Sequence, residues 1–432
     1  MIRTIPNPLA RLPRLFPPVR RMLLVGAFLS LALPVSAQQD GGLDRGRIPP
    51  PNERVQETLI RDVRVTTAVP SAAETQAIFG ANLYASNIQP VWIQVENLSE
   101  ENLFFLPVGL DPAYFTPIET GYRRENRILN LNSSANRNIY DSSMRLRVEA
   151  GDIRSGYVFS RVDEGTKSFN VDVFGDDGRH YLMTFFVPVP GLRIDHYNVD
   201  WANLYSEDEI REVDRDGLVD ALQSLACCTT DKSGEDHGDP LNIAVVGDLK
   251  DVYYAFMRAG WDETETIYRT SLLKTLGSAL TGNEYRYSPV SALYVFGRAQ
   301  DVALQKARAD IHQRNHLRLW MAPIRYQGLP VWIGQISRDI GVRFTWRTIT
   351  THKIDPDVDE TREYLVEDLA YAQSLGGLGY VTGVGAAPYD QPRGNLTGDP
   401  YFTDGLRVVL FLSDEPVNIS EIQVFDLGSR PD

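Results

Sequence analysis

Two short segments contain the residue types that proton transfer and metal binding require. Residues 316–320 read His-Leu-Arg-Leu-Trp, and strand alternation would place His316 and Arg318 on one face together with the tryptophan. Residues 352–360 supply an imidazole and four carboxylates just before a helical pattern. From these segments we predict an acid–base set of His316, His352 and Asp355. The same three residues with Asp357 form a candidate site for a divalent metal.

A structural interpretation of the second segment competes with this one. Asp355 would cap a helix that Pro356 starts, and the acidic residues that follow would complement the positive end of the helix dipole.

A local reversal of charge surrounds His316. Between Ser291 and Thr350 nine basic residues stand against three acidic ones, a net charge of +6. Because guanidinium groups bind phosphate and carboxylate in a bidentate way, we predict an anion site, and the ligand would be a small anion or a lipid headgroup. The predicted anion-binding residues are Arg298, Arg318, Arg338 and Arg347. The alternative is a solvated face that pairs with the acids of the same domain.

The whole chain is acidic, which excludes nucleic acid as its main partner. Its 432 residues include 43 Lys and Arg against 57 Asp and Glu, a net charge of −14. The only two cysteines, Cys227 and Cys228, cannot build a disulfide framework. Being adjacent, they are free thiols, a vicinal disulfide or partners of an external group.

Residues 1–37 have the pattern of an export signal. They hold five arginines and no acid, so the remainder has 38 basic and 57 acidic residues, a net charge of −19. An apolar run from Met22 to Leu33 precedes small residues, and it is shorter than the ~20 residues that span a bilayer. We therefore predict cleavage between Ala37 and Gln38, a periplasmic location, no transmembrane segment in the mature chain and peripheral envelope association.

The elements that must position these residues divide into two predicted domains. After a leader at 38–63, residues 64–200 show short alternating runs with dense turn signals, typical of an immunoglobulin-like β-sandwich. Residues 201–226 predict a linking helix that begins at Ser206, because Ser206 and Glu209 have the spacing of a capping box. Residues 227–415 mix helical and strand patterns, which predicts an α+β domain with a mostly antiparallel sheet, and 416–432 form a tail. Within this domain we interpret Leu375–Tyr380 as a loop that ends a helix.

Ordered motifs in this last region resemble the LssY C-terminal domain family, from about Leu225 to Leu412. The common hydrolase, nucleotide and zinc-protease signatures are absent from the sequence. The motifs that carry the resemblance are Cys227–Thr230, Gly238–Asn242, Ala259–Trp261, Tyr287–Ser291, Phe296–Arg298, His316–Trp320, Ser337–Asp339, Thr351–Asp359 and Gly398–Gly405.

The resemblance implies a bacterial envelope protein, and it implies no particular activity. Some members are fused to a type 2 phosphatidic acid phosphatase region or to a DedA-like membrane region, neither of which occurs in this sequence. No phosphatase residue is therefore transferred to this chain. Two hypotheses follow: an exported protein that binds, and hydrolyses, a lipid-phosphate-like anion, or a noncatalytic envelope binding and assembly module.

Overall fold

A computed structural model describes residues 51, 54–163, 166–189, 199–263, 292–307, 314–343 and 351–431. The predicted export signal with its cleavage site, a helix expected at 270–279 and a strand expected at 344–349 lie outside these residues. Strand is more abundant than helix, at 43% against 22%, and the sheets are mostly antiparallel. The prediction of a β-rich chain with mostly antiparallel pairing is confirmed.

Eight strands and four helices form the N-terminal part. The strands are β1 Val55–Ile60, β2 Val63–Ala68, β3 Ile88–Asn97, β4 Leu103–Leu106, β5 Arg147–Val148, β6 Ile153–Arg161, β7 Thr166–Gly175 and β8 His180–Pro188. The helices are α1 Ala72–Phe79, α2 Pro107–Leu110, α3 Pro117–Arg124 and α4 Ser134–Asp141.

These strands make two four-stranded antiparallel sheets that share one core. The orders are β1-β2-β3-β6 and β5-β4-β7-β8. Alternation directs Val91, Ile93 and Val95 of one sheet toward the core that Val171 and Val173 of the other also enter, and all five are fully buried. Strand β1 lies within residues 38–63, the predicted leader. Its residues are nevertheless part of the sheet, since they pair with β2 from Val55↔Ala68 to Ile60↔Val63.

The C-terminal part is built around one large sheet. Its strands in chain order are β9 Arg211–Val213, β10 Cys228–Thr230, β11 His237–Pro240, β12 Ile243–Val246, β13 Asp262–Glu263, β14 Tyr294–Val295, β15 Arg298–Ala299, β16 Val302–Ala307, β17 Arg314–Tyr326, β18 Leu329–Arg343, β19 Thr351–Ile354, β20 Leu375–Thr382, β21 Arg393–Gly394, β22 Pro400–Tyr401, β23 Leu406–Leu412 and β24 Gln423–Val424. The helices are α5 Arg215–Ser224, α6 Leu249–Arg258 and α7 Val358–Tyr371. The main path of the sheet is β13-β16-β17-β18-β12-β23-β20-β24, with β19 beside β18 and β9 beside β17.

Helices cover both faces of this sheet. On one face Leu317 and Leu319 of β17 pack in a core that includes Phe256 of α6 and Leu365 of α7. On the other face Trp320 packs in a core with residues of α5, including Leu218 and Leu222. The side chains of β17 therefore alternate between two interiors, as the sequence pattern predicts.

The predicted linking helix begins at Arg215 and not at Ser206. Ser206 donates its backbone N–H to the Glu209 carboxylate, which is one half of a capping box. Its hydroxyl donates to the same carboxylate, and the Glu209 N–H donates to the Ser206 carbonyl and not to the hydroxyl, so only a turn follows. Residues 211–213 are instead extended, since they pair in parallel with Ile324–Tyr326 of β17. Asp214 then caps α5 through the Gly217 N–H.

The glycine-rich segment that we interpreted as a loop is strand β20. A Cβ on Gly377 would lie 2.5 Å from the Phe425 ring, and one on Gly379 would lie 2.7 Å from Leu427. The glycines thus allow residues 423–427 to lie against the strand, and β24 pairs with β20 in parallel. Part of the predicted tail, residues 416–432, is therefore a strand of the sheet. The glycines of β20 lie within the sheet and do not form a loop.

The sequence Arg325–Gly328 also predicts a hairpin, and it forms. Gln327 and Gly328 both have positive φ in the two-residue turn between β17 and β18. Helix α7 forms as expected, although its N-cap is Asp357 and not Asp355. Asp44–Asp432 forms a single compact unit, so the division into two domains stays a prediction. Across the described ranges no helix combines the length and apolarity needed to cross a bilayer.

Candidate functional site

One face of β16, β17 and β18 is polar at the end of the sheet where β17 begins. Gln305 lies opposite His316, which lies opposite Ser337, and Arg318 lies opposite Gln335. Alternation adds Arg314 and Asp339 to the same face. We call this group the polar sheet face: Gln305, Arg314, His316, Arg318, Gln335, Ser337 and Asp339. Each of the seven is at most 7% exposed.

A hydrogen-bonded imidazole and carboxylate lie at its centre. Nε2 of His316 is 2.6 Å from Oδ2 of Asp339. Burial lowers the pKa of His316 below its ordinary value, and the nearby Asp339 carboxylate opposes that shift only in part. The imidazole is therefore neutral at pH 7, with Nε2–H donating to Asp339 and Nδ1 as the basic nitrogen.

Two arginines flank this pair. Nη1 of Arg314 donates to Gln305 Oε1 at 2.9 Å, and its Nε lies 3.8 Å from Oδ2 of Asp339. Nη1 of Arg318 donates to Gln335 Oε1 at 2.8 Å. Burial lowers the pKa of Arg314, yet a guanidinium stays charged at neutral pH. The face therefore presents two cations beside a neutral base.

A further carboxyl group, that of Asp239 on β11, lies within electrostatic range. Burial raises the pKa of Asp239, while Arg318 and a hydrogen bond from Asn395 Nδ2 at 2.9 Å oppose the shift. Asn395 belongs to a turn that its side chain closes by accepting from the backbone N–H of Asp399. Asp239 is thus held within electrostatic range of Arg318 by the segment that joins β21 to β22.

The predicted anion-binding arginines do not form one group. Arg318 lies on the polar sheet face, but the pairing of Asn315 with Arg338 puts Arg338 on the opposite face, with its guanidinium 5.5 Å from the Tyr364 ring centroid. Arg298 donates two hydrogen bonds to Asp301 and others to Tyr205 and to the Met321 carbonyl. Arg347 lies outside the described residues.

The predicted carboxylates serve the start of α7. Oδ1 of Asp357 accepts from the backbone N–H groups of Asp359 and Glu360 at 3.2 Å each. Oδ1 of Asp355 accepts from the N–H of Asp357, and the Asp355 N–H donates to the Arg338 carbonyl. His352 lies on β19 opposite Val342. Within the described part of the chain, no three His, Cys, Asp or Glu residues are arranged to hold a metal ion.

Arg338 and Asp357 do line a shared cavity of about 650 Å³ beside α7. Six acidic residues and two arginines line it, and Arg362 is occupied by Asp404 at 2.8 Å on both oxygens. The negative balance disfavours an anion here, so the polar sheet face is the better candidate for the predicted chemistry.

Three ionisable residues of the site, Arg314, Asp339 and Asp239, are not among the predicted site residues, nor are the polar residues Gln305, Gln335 and Ser337. Arg314 precedes His316 by two residues, so strand alternation alone could have found it. Asp339 required the register of β17 with β18. Asp239 required the packing of β11 against the sheet, for which the sequence carries no local signal.

The described C-terminal residues form a β-rich region with helices on both faces of a central sheet. One face of that sheet carries a buried group of ionisable side chains. Residues 219–406, within this region, match the family described as LssY C-terminus. The resemblance inferred from the motifs is therefore confirmed, and the match assigns no activity. No curated protein matches the chain.

Proposed function

We propose that this chain binds a phosphate-type anion at the polar sheet face and hydrolyses its ester. The observation that carries the proposal is the His316–Asp339 hydrogen bond, flanked by Arg314 and Arg318 in a buried setting. A neutral, oriented imidazole is the usual general base, and buried guanidinium groups are suited to phosphoryl oxygens.

The cost of this arrangement supports a functional role. Removing charged groups from water costs several kcal/mol per ion, and apolar side chains of similar volume often serve stability as well or better. On the opposite face of the same strands Leu304, Leu317 and Ile336 are buried in an apolar core, and Arg338 lies at its edge over the Tyr364 ring. A buried imidazole–carboxylate pair between two arginines is better explained by ligand chemistry than by packing.

Each group has a definite role in the proposed reaction. His316 takes a proton at Nδ1 from a water whose oxygen bonds to phosphorus, and the Asp339 carboxylate stabilises the imidazolium that forms. Arg314 and Arg318 neutralise the charge on the phosphoryl oxygens. The ester P–O bond breaks, and the leaving oxygen takes up a proton for which Asp239, whose pKa burial raises, is the proposed donor.

Calorimetry with inorganic phosphate and turnover of p-nitrophenyl phosphate test this function on the full chain. Arg318→Gln should weaken phosphate binding by at least about tenfold, since hydrogen bonds to charged groups contribute about 1.5–3 kcal/mol. His316→Gln should keep binding and lose at least about 100-fold in turnover. Arg338→Gln, on the opposite face, is the matched control and should change neither.

Three outcomes would contradict the proposal. These are no binding of phosphate by the folded protein, equal losses in Arg318→Gln and Arg338→Gln, or unchanged turnover in His316→Gln. Binding of phosphate without any turnover by the wild type would instead favour the noncatalytic module. Vesicles of phosphatidylcholine with and without phosphatidic acid then separate a lipid headgroup from free phosphate, because only a lipid ligand makes the protein sediment with the acidic vesicles.

The proposal includes export to the periplasm, peripheral envelope association and an immunoglobulin-like N-terminal sandwich. Its support is the arginine-rich, acid-free segment before Ala37 and the pair of packed antiparallel sheets. N-terminal sequencing of the protein from a periplasmic fraction should begin at Gln38. Recovery only of chains that begin at Met1 would contradict export with cleavage.

A further inference from the structure

The two cysteines form a vicinal disulfide whose sulfurs differ in environment. Cys227 and Cys228 are bonded, and among the described residues no cysteine is free. Cys228 is 4% exposed at the start of β10, whereas Cys227 is partly exposed. A thiolate from solvent can therefore attack Sγ of Cys227. The buried sulfur of Cys228 would then be the leaving group.

The surroundings of Cys228 favour a thiolate at that position. Its Sγ lies 3.8 Å from the hydroxyl of Tyr401, which is 1% exposed. The guanidinium of Arg393 is held by the Val384 and Ala386 carbonyls and lies near enough to oppose the rise that burial causes in the pKa of this phenol. A hydroxyl that can donate to sulfur, with a cation near it, stabilises a cysteine thiolate.

The backbone on both sides of the disulfide is held independently of the S–S bond. The buried Arg407 donates to the carbonyls of Leu222, Ala226 and Leu241. The Leu241 N–H donates to the Cys227 carbonyl at 2.8 Å, and Cys228 pairs with Pro240. Opening the disulfide would therefore leave the two sulfurs close enough to bond again.

We propose that Cys227–Cys228 is a redox-active disulfide that exchanges with a protein dithiol. A thiolate of that dithiol attacks Sγ of Cys227, the S–S bond breaks, and Cys228 leaves as a thiolate beside the Tyr401 hydroxyl. The second thiol of the partner then attacks the mixed disulfide and releases Cys227. The partner is oxidised by two electrons, and its two protons end on the two cysteines.

The exchange goes beyond the proposed function and does not rest on it. The two sites are nevertheless adjacent in the fold, because Pro240, the partner of Cys228 across the strand pair, follows Asp239 directly. Reduction of the cysteines would therefore act on the backbone beside Asp239, which lies within electrostatic range of Arg318.

Alkylation and intact-mass measurement of the folded chain test the proposal, with dithiothreitol as the dithiol. The native protein should take up no iodoacetamide before reduction and two equivalents after it. Tyr401→Phe should slow reduction at least about threefold, because a leaving thiol of higher pKa leaves more slowly. Tyr389→Phe, at an 80% exposed tyrosine, is the matched control and should react as the wild type does.

A second variant tests the proposal even if Tyr401→Phe does not fold. Arg393→Gln removes the cation behind the phenol and should slow reduction in the same direction. The proposal is overturned if the cysteines alkylate without reductant, if reduction requires denaturant, or if folded Tyr401→Phe or Arg393→Gln is reduced as fast as the wild type.

Discussion

Buried ionisable side chains in the C-terminal region are of two kinds. Arg407 is fully buried and donates only to backbone carbonyls, and burial lowers its pKa to about 10. It holds the end of α5 against β12, so its role is structural. His316 and Arg318 instead hydrogen-bond to side chains of the neighbouring strand β18, namely those of Asp339 and Gln335. Only the second kind offers groups that can change protonation or partner during a reaction.

The buried imidazole should make stability depend on pH. Burial lowers the pKa of His316 in the folded state, whereas the unfolded chain titrates near 6.5. Above that pH both states are neutral at this residue. As pH falls through 6.5 the unfolded state binds a proton that the folded state does not, so the free energy of unfolding decreases.

Urea unfolding from pH 8 to pH 5 checks this expectation. The stability of the wild type relative to His316→Gln should fall as the pH drops below about 6.5. An increase on acidification would instead mean that Asp339 outweighs burial and holds a charged imidazole in the folded protein.

At the scale of elements, the C-terminal segment packs closely against the glycines of β20, and this packing adds one more strand to the edge of the sheet. Gly376, Gly377 and Gly379 belong to β20, and the last two are bordered by side chains of the C-terminal segment. Glycine weakens an isolated strand, so its use here reflects a close approach of another segment. The same approach adds β24 to the sheet.

Gly379→Ala should destabilise the protein by about 1–3 kcal/mol, because the new methyl group would lie 2.7 Å from Leu427. Gly376→Ala is the matched control in the same strand, since its nearest neighbour would be an ordinary contact at 3.5 Å. Denaturant midpoints of the two variants measure the difference. Equal losses would show that glycine flexibility, and not the packing of the C-terminal segment, governs the strand.

Local patterns predict elements well where propensity and pairing agree. The hairpin at Gln327 and Gly328 is one example. Helix α6 is another, because Val252, Tyr253 and Phe256 have the spacing of one helix face and are buried in the helix that forms. Ser206 is the opposite case: its backbone N–H donates to Glu209 as in a capping box, but pairing with β17 extends the residues that follow. Strand alternation brought His316 and Arg318 together correctly. It could not place Arg338, whose face depends on a register between strands.

At the scale of the whole molecule, an aromatic contact joins the N-terminal sheets to the C-terminal region. The Phe186 ring of β8 meets Tyr253 edge-on at 5.5 Å and stacks on Tyr254 at 5.6 Å, both on α6. The Ser168 hydroxyl of β7 contacts Met257 of the same helix at 3.1 Å. These contacts couple the two cores within one compact unit.

Calorimetry of the full chain should therefore show a single unfolding transition. Phe186→Ala should separate it into two transitions or lower its midpoint by several degrees, since losing a large aromatic costs about 3–5 kcal/mol. Phe104→Ala, which removes a ring stacked on Phe174 within the N-terminal sheets, should lower the midpoint without separating the transition. Two transitions in the wild type would contradict the coupling.

The position of β12 also constrains the order in which the chain can fold. This strand is central in the sheet, pairing with β18 from Ile243↔Gly334 and in parallel with β23 from Ile243↔Val408. Pairing across such sequence separations must await synthesis of the later partner, and non-local pairing is slow to form. During synthesis, the apolar residues 243–246 therefore stay without their final neighbours until the chain has grown past residue 412. A ribosome-bound chain that stops before β18 exposes an unpaired apolar strand, which is a natural ligand for chaperones.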